Sequence, residues 1–209
     1  MKSALVVVDV QTCFTAPSQA YDEAAAAGDV GAFFSRVNEI VIPKLQDLLA
    51  AYRAAKLPIY FTEMGSLRAD GSDLPSALRE ANRLSIEASG NAVIPPLDQE
   101  SSRTDARIAP REDEIVFRKT TTGTLASTPL GQNLRALGCE HVAVAGIVTD
   151  CCVAQTSREL SDQDFRVTVV EDGCASYVPA HHRAILEIFQ NFYGAVDSAE
   201  AVIASLPKA

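Results

Sequence analysis

Ala145-Gly146-Ile147-Val148-Thr149-Asp150-Cys151-Cys152-Val153 joins an apolar strand to a helix at a turn that carries two thiols. The strand, His141-Val142-Ala143-Val144-Ala145, is apolar after its histidine, the pattern of a parallel strand covered on both faces. Gly146 is expected to end it. Thr149 and Asp150 are N-cap residue types, and the Gly-free run from Val153 to Asp162 continues at helical spacing through Val153, Thr156 and Leu160. One of the two cysteines is thereby placed in a first helical turn. Unpaired backbone N–H groups and the positive end of the helix dipole favour thiolate there, and the same N–H groups suit a developing oxyanion.

Outward from this turn, the chain alternates strands and helices. Ala4-Leu5-Val6-Val7-Val8 reads as a buried central strand that leaves Asp9 at its C-terminal end. Phe34, Val37, Val41, Leu45, Leu48 and Tyr52 form a helical stripe within residues 31–52, which Pro43 should bend or interrupt locally. Leu57 to Phe61 is a second strand, and Glu114 to Phe117 a third that runs into Arg118-Lys119-Thr120, so Lys119 stands at another strand exit. Residues 64–111 mix Gly, Ser, Asp, Arg and Pro around one short helix at about 76–84, as expected of a functional loop or lid rather than a linker. A helix over 128–137, a fifth strand at 166–170, a helix over 181–192, a short strand at 195–196 and a terminal helix over 198–205 complete the pattern.

The pattern predicts an α/β fold: a Rossmann-like, doubly wound, mainly parallel sheet of five to six strands with helices on both faces, in one domain spanning residues 1–209. In strand order 3-2-1-4-5-6 the ligand crevice opens between the first and fourth strands, where Asp9 and the thiol turn both end. Asp9, Lys119 and one thiol then make a nucleophilic set. The thiolate attacks a carbonyl carbon, Asp9 takes the thiol proton and returns it to the leaving amine, and Lys119 holds Asp9 ionised and favours the thiolate.

The 209 residues are 47% hydrophobic and 22% charged, ordinary for a globular chain, and the net charge of −9 offers no basic footprint for nucleic acid or an anionic membrane. No stretch approaches membrane-spanning length and no signal-like segment opens the chain, so a cytoplasmic location is expected. Five cysteines without framework spacing point to reduced thiols. No histidine precedes His141, and His181 and His182 are adjacent on a helix and do not face one another, so neither a metal nor another cofactor is expected. Arg68, Arg79, Arg83, Arg103 and Arg107 in the irregular region could clamp a substrate carboxylate, with discrimination of about 10⁴-fold against an analogue lacking it.

Three blocks together resemble the isochorismatase-like superfamily and, within it, the cysteine hydrolases. They are Ala4-Leu5-Val6-Val7-Val8-Asp9-Val10-Gln11 with Phe14, then Phe117-Arg118-Lys119 followed by Thr124-Leu125, and Gly146 to Val153. The resemblance implies that Cys152 rather than Cys151 is the nucleophile, beside Asp9 and Lys119. It also implies a cis peptide between Ile147 and Val148 and an oxyanion hole made by the backbone N–H groups of Val148 and Cys152. Three departures stand out. Thr12-Cys13 replaces the family's Asn-Asp, the cysteine argues for amide rather than vinyl-ether chemistry, and the histidine set of the metal-binding nicotinamidases is missing. The implied activity is cleavage of the C–N bond of a small non-peptide amide or ureide by a homodimer or homotetramer. A nicotinamidase-type or isochorismatase-type hydrolase, or a non-catalytic small-molecule binding protein, would use the same scaffold.

Overall fold

The computed structural model describes residues 2–16 and 30–207. Six strands form one parallel sheet in the order β3-β2-β1-β4-β5-β6: β1 (Ser3–Val8), β2 (Ile59–Met64), β3 (Ile115–Lys119), β4 (His141–Ile147), β5 (Arg166–Ala175) and β6 (Ala195–Asp197). Every residue of β1 and β2 is buried, which is why β1 reads as a continuous apolar or small-residue run rather than an alternating one, while β2 also buries Thr62 and Glu63. Burial of Leu5, Val6, Val7 and Val8 contributes at most roughly 6–12 kcal/mol and anchors the middle of the sheet.

Helices surround the sheet. A short α1 (Thr12–Thr15) follows β1, and α2 (Val30–Arg36) runs through a π turn (Val37–Val41) into α3 (Ile42–Ala54). The interruption expected of Pro43 is present, one turn earlier than the proline itself. A wider turn keeps the proline ring clear of the carbonyl four residues back, where a regular helix would clash and lose a hydrogen bond. Beyond β2 come α4 (Ser76–Ser89), α5 (Leu130–Ala136), α6 (Ala154–Asp162), α7 (Pro179–Phe192) and α8 (Ala199–Ala204). No helix among the described residues is long and apolar enough to cross a membrane.

The boundaries differ from the sequence reading in instructive places. The helix expected at about 76–84 runs on to Ser89 and stops at Gly90, whose φ of 77° supplies the left-handed cap. The strand expected at 166–170 extends to Ala175 because its second half pairs with the end of β4, Gly146 opposite Cys174 and Ile147 opposite Ala175. Gly146 therefore does not end β4. It sits inside the strand at φ 129°, paired with Val8, where a Cβ would fall onto the Val8 carbonyl oxygen. The glycine lets the ends of β1 and β4 approach at the point where the crevice opens.

Gly146→Ala should cost roughly 2–4 kcal/mol, because it combines an unfavourable φ with a backbone clash. Gly90→Ala adds a Cβ at φ 77°, in the left-handed region, where it meets nothing within 4 Å, so about 1–2 kcal/mol is expected. Urea denaturation of both variants reads the difference; equal losses would mean that the close approach of the two strands is unimportant.

Candidate active site

Strand order and register bring three strand exits together. Val8 of β1 lies opposite Thr62 of β2 and Gly146 of β4, while Met64 of β2 lies opposite Lys119 of β3. Asp9 follows β1 with φ 52°, a left-handed turn that aspartate tolerates better than most residues. Its Oδ1 accepts the Thr62 hydroxyl at 2.6 Å, and its Oδ2 lies 2.8 Å from Lys119 Nζ. The two charges are 1% and 0% exposed. Because β3 and β1 are two strand spacings apart, about 9–10 Å, the lysine must reach across β2. Only a long unbranched stem does this, and Lys119 is the one buried residue of β3.

Lys119 Nζ also donates to the carbonyls of Thr121 and Thr122, both at 2.9 Å, and passes 3.6 Å from Met64 Sδ. Burial works against the ammonium, but Asp9 and then Cys152 outweigh it and hold the lysine above its usual pKa. The Met64 sulfur in turn accepts the Cys152 thiol at 3.6 Å. Asp9, Lys119 and the Cys152 sulfur are thus assembled around one methionine. Gln11 fixes that methionine, taking the Met64 N–H at 2.7 Å on its Oε1 and donating to the carbonyls of Met64 and Ser102 at 2.9 and 2.8 Å.

The thiol turn is a π turn (Thr149–Val153) that leads into α6, and the Ile147–Val148 peptide before it is cis, as the resemblance implies. Thr149 and Asp150 do not cap the helix. Thr149 Oγ1 bonds His182 Nδ1 at 2.8 Å, and Asp150 bonds Ser176 Oγ at 2.7 Å and His181 Nδ1 at 3.1 Å. Arg36 Nη2 lies 3.3 Å from His182 Nε2. A guanidinium only donates, so Nε2 is the acceptor, and the ring proton sits on Nδ1 and points to Thr149. Both histidines of α7 therefore brace the turn. His141 lies at the other end of the sheet, between Ser3 Oγ at 2.8 Å and Thr168 Oγ1 at 2.9 Å. Among the described residues no group of three His, Cys, Asp or Glu is placed to hold a metal ion.

All five cysteines are free. Turn position alone was expected to favour thiolate, yet the Cys152 thiol is pushed well above its usual range by the neighbouring Cys151 sulfur and by burial, with Lys119 pulling the other way. The more open Cys151 is lowered instead, first by its contact with Cys152, with burial opposing and Lys119 assisting. At rest Cys152 is a thiol and needs a base. Cys13, which stands in a position where the family has a carboxylate, is raised to about 12 by burial.

A cavity of about 170 Å³ opens on Asp9, Met64, Cys151 and Cys152 and is otherwise walled by Phe14, Leu78, Val93, Ile94, Thr122, Ile147, Val148 and Tyr177. None of the five arginines proposed as a carboxylate clamp reaches it. Arg68 pairs with Asp70, Arg83 with Glu80 and Glu87, Arg103 with Glu63 and Arg107 with Asp105, while Arg79 donates to the Leu74 carbonyl. Each has a local acidic or carbonyl partner within a few residues or across the loop, which spacing within an irregular segment does not disclose. Thr62, Met64 and Gln11 were not singled out as site residues. The rule that found Asp9 and Lys119, polar or sulfur-bearing residues at strand exits, also marks the first two.

The isochorismatase domain model matches residues 3–201, and the chain belongs to that family. Ureidoacrylate amidohydrolase RutB of Methylobacterium radiotolerans is 28% identical over 210 residues, which cover 97% of this chain and 78% of the relative. The solved structure of a cysteine hydrolase from Pseudomonas syringae pv. phaseolicola matches with a TM-score of 0.80 at 22% identity, covering 97% of this chain and 91% of that one. N-carbamoylsarcosine amidase from Thermoplasma acidophilum matches with a TM-score of 0.71 at 22% identity, covering 96% and 98%. The two structures share the fold.

Burial, and next the charge of Arg36, lowers His182 from its ordinary 6.5 to about 4. Between those values the unfolded chain binds a proton that the folded chain refuses, so stability falls as pH drops through this window. The urea midpoint of His182→Gln should change less than that of the parent between about pH 7 and about pH 5. Identical pH slopes in the two proteins would show that the His182 ring stays neutral for no structural reason.

Proposed function

We propose that this chain is a cysteine-dependent amidohydrolase that cleaves the C–N bond of a small non-peptide amide or ureide through a thioester on Cys152. The observation that carries the reading is the buried Asp9–Lys119 pair beside the Cys152 thiol, in a cavity large enough for a small acyl group. Asp9 Oδ2 is buried and has no hydrogen bond beyond its contact with the ammonium, so it is poised to take a proton. The amide-acting relative RutB supports the same bond class.

In this mechanism substrate enters between the apolar wall and the thiol turn. Asp9 removes the Cys152 proton as sulfur attacks the carbonyl carbon, and Lys119 stabilises the negative charge shared by carboxylate and sulfur. The tetrahedral oxyanion is taken by the backbone N–H groups of Val148 and Cys152. Asp9 then protonates the leaving nitrogen, the C–N bond breaks, and the acyl group remains on sulfur. Water, deprotonated by Asp9, attacks the thioester and releases the acid and the thiol. We take the enzyme to be one domain over residues 1–209, cytoplasmic, and active as a homodimer or homotetramer.

Cys152→Ala should lower kcat by at least about 10⁴-fold with the fold intact, and Asp9→Asn should lose nearly as much, because groups that act as one unit are not additive. Cys151→Ala should keep most activity. Ammonia release measures all three, and mass spectrometry after an electrophilic amide analogue locates the adduct. An adduct on Cys151, or full turnover by Cys152→Ala, would overturn the assignment of the nucleophile.

Turnover should also survive dialysis against a chelator, since the three histidines are engaged elsewhere. Metal analysis before and after dialysis is the check. A stoichiometric metal ion lost together with activity would replace the metal-free route with a nicotinamidase-type one.

A further inference from the structure

The wall of the cavity specifies the substrate further than the bond class does. Besides the thiols it presents Phe14, Leu78, Val93, Ile94 and the Tyr177 ring, which is itself packed against Phe33 with ring centroids 4.0 Å apart. Among the described residues no arginine lines this space, and the lysine behind it is committed to Asp9, Thr121 and Thr122. Residues 17–29 contain no Arg, Lys or His either. A volume of about 170 Å³ holds roughly six water-sized groups.

Resting on the cysteine-hydrolase reading, we infer that the acyl side of the substrate is a short, uncharged hydrocarbon of about four to six non-hydrogen atoms, and that the enzyme selects against amides that carry a second carboxylate. An acidic acyl chain would have to leave water for an apolar wall, with the Asp9 carboxylate nearby and no cation to receive it. A hydrocarbon chain is instead drawn in by the area it buries. The reaction is balanced by water: one C–N bond is exchanged for one C–O bond, and a neutral amide gives ammonia and a carboxylic acid. The wall that excludes acidic substrates also disfavours the ionised product, so product release is promoted by the same surface.

The test compares isovaleramide and n-butyramide with succinamate, which is similar in size and carries a carboxylate. Ammonia release by the full chain should show kcat/KM lower for succinamate by roughly 10²-fold or more. Leu78→Arg, at a partly buried position of α4 that lines the cavity, should narrow that ratio at least about tenfold by supplying a cation at the wall. Isovalerate should inhibit only weakly. Preference for succinamate in the parent protein, or a ratio unmoved in Leu78→Arg, overturns the inference while leaving the thiol chemistry in place. If no amide releases ammonia and no electrophile is captured by Cys152, the cysteine-hydrolase reading itself fails, and the inference with it.

Discussion

The ion pair between Asp9 and Lys119 is the constraint to which the carboxyl end of the sheet conforms. Each charge removed from water costs several kcal/mol, and mutual attraction offsets this only when the remaining hydrogen-bonding positions are also filled. Here the filling comes from two separate chain segments: the Thr62 hydroxyl from β2 and the Thr121 and Thr122 carbonyls after β3. The pair also requires order. A lysine on β3 meets an aspartate on β1 only if β2 lies between them with a side chain slim enough to pass under the stem, and Met64 is there. Fold and site are therefore one problem, since the sheet that buries four aliphatic residues of β1 also delivers the carboxylate at its end.

Burial then decides how the thiol behaves. A helix start lowers a thiol pKa when the sulfur is partly exposed, but Cys152 lies against the Cys151 sulfur and is enclosed, and together these penalise its anion more than Lys119 favours it. The Cys152 thiol is consequently held in its protonated form, close to the Asp9 carboxylate. The turn that carries the sulfur is held from outside by Ser176, His181 and His182, so its position does not depend on capping by its own side chains.

Much of this was legible in the residues. Strand runs ending in Asp9, in Lys119 and at the thiol turn reveal the strand exits, because buried parallel strands are continuous and their ends are abrupt; the order 3-2-1-4-5-6, assumed for a doubly wound sheet, and the cis peptide, implied by the family resemblance alone, agree with the structure. Other features were not legible, each for a physical reason. The second half of β5 carries Glu171, Asp172 and Gly173, outside the strand expected at 166–170, and becomes strand only because β4 continues past Gly146 to meet it. The arginines of the irregular region look like a clamp when counted and like structural ion pairs when placed, since their partners lie as close as two residues away or as far as forty. The sign of the Cys152 shift depends on enclosure, and enclosure is a property of the packed molecule.

The lysine holds a further consequence for how this chain can vary. An ammonium has three protons, and hydrogen bonds to two carbonyls and the Met64 sulfur account for them, while Asp9 is held by charge at 2.8 Å. Two of those partners are main-chain atoms in Thr121 and Thr122, and Thr122 is also part of the cavity wall. The ammonium itself sets no residue type at these two positions, because any residue offers a carbonyl, whereas it does set the length of the loop. Inserting or deleting a single residue after Lys119 would take a carbonyl off the ammonium and displace the wall in the same stroke, so change in the loop is confined to substitution.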